Sequence, residues 1–212
     1  MTVKPNEEWD LHGSTAWVFT TQRGLQRPFV LVADGGPADM AALGEAADAA
    51  DFALRAQLTQ RGYDLILVGF DHDPADPAKS ADTVRHAVLR AVAQRLGSVP
   101  LMLGGIGRGA LVARYALARM EHEHMDHQTQ TYYSYNGVAP TAQEAGEFER
   151  VGGMPRRPRL LKITAGAPDL EGLGRDADPD ASMFDDWLFT DGAADGLMSP
   201  EAGTWLLDRL PY

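Results

Sequence analysis

The sequence predicts an α/β fold, a three-layer α/β/α sandwich built around a mainly parallel sheet. Three observations predict it. Strand-like apolar runs alternate with helical patterns along most of the 212 residues. Residues 63–70, YDLILVGF, form a continuous apolar run, as expected of a strand buried on both faces. Residues 101–121, LMLGGIGRGALVARYALARME, read as an apolar strand, a glycine-crowded turn and a long helix.

Residues 1–13 are polar and are expected to form a flexible segment anchored by Trp9, ahead of a single domain over 14–212. Strands are predicted at 15–20 (TAWVFT) and 28–33 (PFVLVA), with a turn at Gly24 between them. Residues 41–61 are rich in Ala and Leu at helical spacing. After the strand at 63–70, residues 82–96 place Val84, Ala87, Val88, Ala91 and Val92 on one helical face. A strand at 100–103, the glycine turn and a helix over 110–122 follow. A strand at 131–135, a short helix at 142–149 and a strand at 159–164 complete the pattern. Two loops stand out: GGMPRRPR at 152–159, and the acidic LGRDADPDASMFDD at 173–186. Strands alternating with helices imply right-handed parallel crossovers.

Composition narrows the function. The formal charge is −11, which disfavours nucleic acid and anionic membranes, since both select a basic surface. There are no cysteines, so thiolate catalysis, disulfides and Cys-ligated zinc are excluded. The N-terminal residues MTVKPNEEWDLHGS lack an apolar signal core, and no segment approaches a membrane span. A cytoplasmic protein with a small-molecule partner and no cofactor is expected, and a homodimer is left open. The Ala, Gly, Arg and Asp content suggests a GC-rich bacterial genome, in which a biosynthetic role is expected.

The glycine turn resembles the nucleophile elbow of the α/β-hydrolase superfamily, especially its lipase-like bacterial members. That elbow reads G-x-S-x-G; here the frame is Gly105-Ile106-Gly107-Arg108-Gly109. Neighbouring pieces match in order from about residue 27 to 166. RPFVLVADGGPAD is similar to the strand and loop that supply part of the oxyanion hole. RGYDLILVGFDHDP is similar to the next strand with its active-site loop, and MDHQTQTYYSYNGVAPT to the strand beyond the elbow helix. The resemblance implies the superfamily fold, with a shortened C-terminal part.

It also implies a catalytic Ser, acid and His in that chain order. The nucleophile position holds Gly107, and the last histidine is His127, so two of three members are missing. Asp169 or Asp195 matches the acid. Ser134 is the nearest candidate for a displaced nucleophile. A glycine at the elbow also relieves backbone strain of about 1–3 kcal/mol, as expected of a hydrolase kept only as a scaffold.

What remains is an anion-binding corner: the Arg108 amide at the start of a helix, with amides after Asp34-Gly35-Gly36 as further donors. The candidate catalytic residues are Arg108, as a carboxylate clamp, and His72 or Asp71, as acid or base. Gly35, Gly36, Gly107, Asn136 and Asp169 are the candidate ligand-binding residues, all after predicted strands, where open α/β sheets bind ligands. HEHMDH, residues 122–127, leaves open a local zinc or nickel site from His122, His124 and His127; no closed ligand set can be assembled from the sequence, and histidines ending a helix also suit its negative dipole end. The expectation is a non-hydrolytic enzyme of cyclase, isomerase or lyase type acting on an apolar small molecule. The alternatives are an inactive ligand-binding or scaffold protein, and a hydrolase with a displaced nucleophile.

Overall fold

A computed structural model describes residues 3–11, 13–21, 24–35, 37–71, 76–166, 183–194 and 196–211. The elements run β1 (Glu7–Asp10), β2 (Ser14–Phe19), β3 (Pro28–Val32), α1 (Met40–Ala46), α2 (Leu54–Gln60), β4 (Asp64–Phe70), α3 (Pro77–Gln94) and β5 (Leu101–Ile106). They continue with α4 (Arg108–His122), β6 (Thr129–Tyr135), α5 (Ala142–Arg150), β7 (Arg159–Ala165), β8 (Asp186–Thr190) and α6 (Pro200–Leu207).

The eight strands form one sheet in the order β1-β2-β4-β3-β5-β6-β7-β8. β1 and β2 pair antiparallel with their neighbours, and β3 to β8 are parallel. Every residue of β3 and β4 is buried, which is why those runs are apolar without alternation. Their side chains nonetheless divide by face. Ile66, Val68 and Phe70 join Val84, Val88, Val112 and Tyr115 under α3 and α4. Leu65 and Leu67 join Leu54, Leu58, Ala202 and Leu206 beneath α2 and α6. Each such side chain removed from water contributes about 1.5–3 kcal/mol. The three-layer sandwich with a mainly parallel sheet is the observed architecture.

Two buried polar devices pin the frame. Asp64, at the start of β4, accepts from the amides of Thr21, Gln26 and Arg27 and from the Thr21 hydroxyl, so the β2–β3 connection folds around one carboxylate. Tyr133 stacks on Phe29 at 4.9 Å and donates its hydroxyl to the Val30 carbonyl, joining β6 to β3 across β5. At the chain's far end, Arg27 Nη2 donates to the Pro211 carbonyl at 2.7 Å, drawing residues after α6 beneath β3.

Three local differences from the sequence expectation have physical causes. Within the segment expected to be flexible, Glu7–Asp10 forms β1, and Trp9 is fully buried against the α3 face. The predicted helix over 41–61 is two helices, because the chain turns at 47–53 to bury Phe52 against Gly203 of α6. β8 and α6 are additional elements, and β8 begins at the end of the stretch expected to be an acidic loop.

Candidate functional site

The parallel strands β3 to β6 end together, and the residues that follow them line one edge of the sheet. Asp34, Asp71, Gly107 and Asn136 each lie within two residues of a strand end. This is the edge at which open α/β sheets take ligands.

Gly107 joins β5 to α4 with φ +52° and ψ −121°, and its N–H donates to the Tyr135 carbonyl at 2.9 Å. A side chain there meets two obstacles. The positive φ strains any L residue, and an added Cβ would stand no more than 2.6 Å from Cγ and both oxygens of Asp34. Gly109, the second residue of α4, is also constrained: a Cβ would run into the carbonyls of Val32 and Ala33, so glycine lets α4 rest on the end of β3.

Asp34 therefore fills the space that a residue-107 side chain would need. Its Oδ1 accepts from the Arg108 amide at 2.7 Å and from the Gly35 amide at 2.8 Å. Two convergent amides, one at the N-terminus of a 15-residue helix, form an anion corner that holds the chain's own carboxylate. Asp34 is solvent-exposed, and its Oδ2 takes no hydrogen bond among the described residues.

The other candidates have definite places. The Arg108 guanidinium faces Glu144 with two hydrogen bonds, Nη1 to Oε2 at 3.1 Å and Nη2 to Oε1. Both side chains are largely buried, at 19% and 13% exposed. Glu144 also closes the capping box of α5, accepting from the Thr141 amide at 2.8 Å. Burial pushes the Glu144 carboxyl up, but Arg108 and Thr141 outweigh it and hold it below the usual carboxylate range. A polar cavity of about 540 Å³ opens beside this pair, between the N-termini of α3, α4 and α5.

Asn136, at φ +48°, uses both ends of its amide on β7: Nδ2 donates to the Ala165 carbonyl at 2.9 Å, and Oδ1 accepts from the Ala165 N–H at 2.7 Å. Asp71 and Gly35 are exposed at the edge. Gly36, His72, Asp169 and Asp195 lie outside the described residues. Ser134 is buried at 5% exposure, its hydroxyl so close to Gly137 that a Cβ on that glycine would collide with it.

His122 ends α4, about 22 Å of helix from Gly107, and His124 and His127 follow it. His127 is fully buried. Its Nδ1 accepts from the Thr129 amide, so Nε2 carries the proton and donates to Glu121 at 3.1 Å. Both nitrogens are thus committed, and among the described residues no group of three ligating side chains converges on a metal site. Nor is any described helix long and apolar enough to cross a membrane.

Comparison with known proteins places this geometry in a fold. No protein-family model matches the chain, and no curated protein matches it in sequence. Solved structures do. An esterase, E25, superposes with a TM-score of 0.63 at 14% identity, over 97% of this chain and 78% of its own. A dienelactone hydrolase from Anabaena variabilis gives 0.59 at 14%, over 95% and 94%. An α/β serine hydrolase without a lid, from Xanthomonas campestris, gives 0.58 at 16%, over 98% and 94%.

The chain has the α/β-hydrolase fold. In that fold Gly107 makes the turn between β5 and α4, the turn whose sequence frame resembles the elbow. The role of Asp34 was not legible in the sequence. The residue lies 74 positions upstream of the amide it caps, and nothing in the DGG stretch specifies that reach.

Proposed function

We propose that this protein is not an esterase but a pseudo-hydrolase, a ligand-binding or scaffold protein whose catalytic corner has become a structural joint. One observation carries the reading. The Arg108 amide, the donor expected to steady an oxyanion, is held by the Asp34 carboxylate, which also fills the nucleophile's place. A developing oxyanion would need that amide and would meet a like charge beside it. The other polar candidates support the reading, since Arg108 is spent on Glu144 and Asn136 on Ala165. We place the protein in the bacterial cytoplasm on composition.

Activated short-chain esters test this. Wild type and Gly107→Ser are expected to turn over no faster than denatured protein, because a serine without a general base stays protonated and weak. Saturable hydrolysis by wild type that is lost in Ser134→Ala would overturn the proposal.

A second reading, a cyclase, isomerase or lyase acting on an apolar small molecule, is favoured by the exposed, uncommitted Oδ2 of Asp34. A carboxylate so placed can accept a proton. Proton exchange into an enolisable ketone in D₂O, catalysed by wild type and lost in Asp34→Asn, would decide for this reading.

A further inference from the structure

At the opposite end of α4 from Gly107, a groove of about 450 Å³ opens between α4, α5 and the loop that follows α5. Its floor includes Val151 and the buried Met154. Its walls carry Arg150, Arg156 and Arg157, with His122 at the rim.

Throughout the described residues, arginine side chains are partnered. Arg55 bonds Asp48, Arg61 faces Asp208, Arg85 and Arg119 share Asp82 and Glu123, and Arg90 reaches Glu7. Arg108 holds Glu144, and Arg159 and Arg209 share Asp186. Arg27, Arg95 and Arg114 donate to carbonyls. Among the described residues only Arg150 and Arg156 make no side-chain hydrogen bond or ion pair, and both line this one groove. Arg157 beside them meets Asp126 only at 3.5 Å, with both side chains more than half exposed. In a chain of net charge −11, two guanidinium groups without an acidic partner among the described residues line the same groove.

The loop that carries Arg156 and Arg157 is held in place. Glu121 accepts from the Arg156 amide at 2.8 Å and from the Arg157 amide at 3.0 Å, and its Oε1 also faces the Nε2 of buried His127. That carboxylate lines the groove, and three donors already hold it; no guanidinium group among the described residues bonds to it. Glu149 is the only other acid in the lining.

We propose that this groove binds a phosphoryl group, with Arg150 and Arg156 as its principal donors and Arg157 and His122 in support. Planar guanidinium groups suit a tetrahedral oxyanion, which they engage through paired N–H donors. The proposal is independent of the reading of the elbow.

Inorganic phosphate is the probe, titrated into the whole protein in about 150 mM NaCl so that nonspecific charge effects are screened, and followed by amide shifts of Gly152 and Gly153. Saturable binding is expected. It should weaken at least about tenfold in Arg150→Gln/Arg156→Gln, as expected for losing charge-assisted bonds. It should persist in the remote Arg90→Gln and tighten in Glu149→Gln, which removes the opposing charge. Phenyl phosphate distinguishes the source: tighter binding than inorganic phosphate points to an organic phosphomonoester, equal binding to free phosphate. Shifts that match a sodium chloride control, or a double variant that binds like wild type, overturn the proposal. Arg150 and Arg156 are exposed, so the variants are expected to fold.

Discussion

Asp34 and Gly107 form a reciprocal pair: the carboxylate occupies the volume that the glycine leaves open, and it caps the helix that the glycine begins. Neither residue makes sense alone. A side chain at 107 would displace Asp34, and without Asp34 the first amide of α4 would lose its acceptor.

The pair makes a thermodynamic prediction. Gly107→Ser is expected to cost about 3 kcal/mol, from strain at positive φ and collision with Asp34. Asp34→Gly alone should cost about 1 kcal/mol through the lost cap. Combined, they should cost less than their sum by about 1 kcal/mol or more, since the collision is gone. Urea unfolding of the four proteins measures the coupling, and strict additivity would mean that the two residues do not interact.

Arg108 and Glu144 predict a pH dependence. The Glu144 carboxyl is held below its ordinary value, so its contribution is fully present above the unfolded pKa and fades as pH falls through the lower folded one. Arg108→Gln is expected to destabilise by about 2 kcal/mol at pH 7, the range for hydrogen bonds to a charged group. The difference from wild type should shrink below about pH 4, near the unfolded glutamate value. Denaturation midpoints across that range would show it, and a constant gap would place the stabilisation elsewhere.

The three histidines at the C-terminal end of α4 and just beyond it should behave unequally. His127→Ala strands the Thr129 amide and one acceptor site of Glu121 in a buried setting, for an expected loss of about 2 kcal/mol. His122→Ala, at an exposed position, should fall within about 0.5 kcal/mol of wild type. Addition of EDTA should leave the melting temperature of all three proteins unchanged. A fall on chelation would show that metal contributes to the fold.

Legibility in the sequence followed the range of the interactions. The β4 run and the β5–α4 turn were readable because their signals, an apolar stretch and a glycine crowd, are local. The break between α1 and α2 was not. Residues 41–61 satisfy helical spacing throughout, and only the distant Gly203 makes room for Phe52 to turn inward. α6 had a usable local signal, Ser199 as cap with Pro200 in the first turn. β8 had little, since Trp187 and Phe189 are exposed on an edge strand five residues long. At the edge of the sheet, Asp71, Gly107 and Asn136 each follow a strand end, a placement that strand order alone makes readable. The partners that occupy Arg108 and Asn136, Glu144 and the Ala165 backbone, sit 36 and 29 positions away, beyond the reach of any motif.

The tie from Arg27 to the Pro211 carbonyl bears on how the chain is made. The apolar face of β3 and β4 that receives Leu206 and Leu210 is synthesised more than a hundred residues before its cover. During translation the nascent sheet can assemble its α3 and α4 side while the other side lacks α6. Half-covered apolar sheets are the species that aggregate or recruit chaperones. The fate of each new molecule therefore turns on the interval between the emergence of β5 from the ribosome and that of residues 200–211. Slow codons inside that interval would prolong the exposure, and a stop codon before it closes would make it permanent.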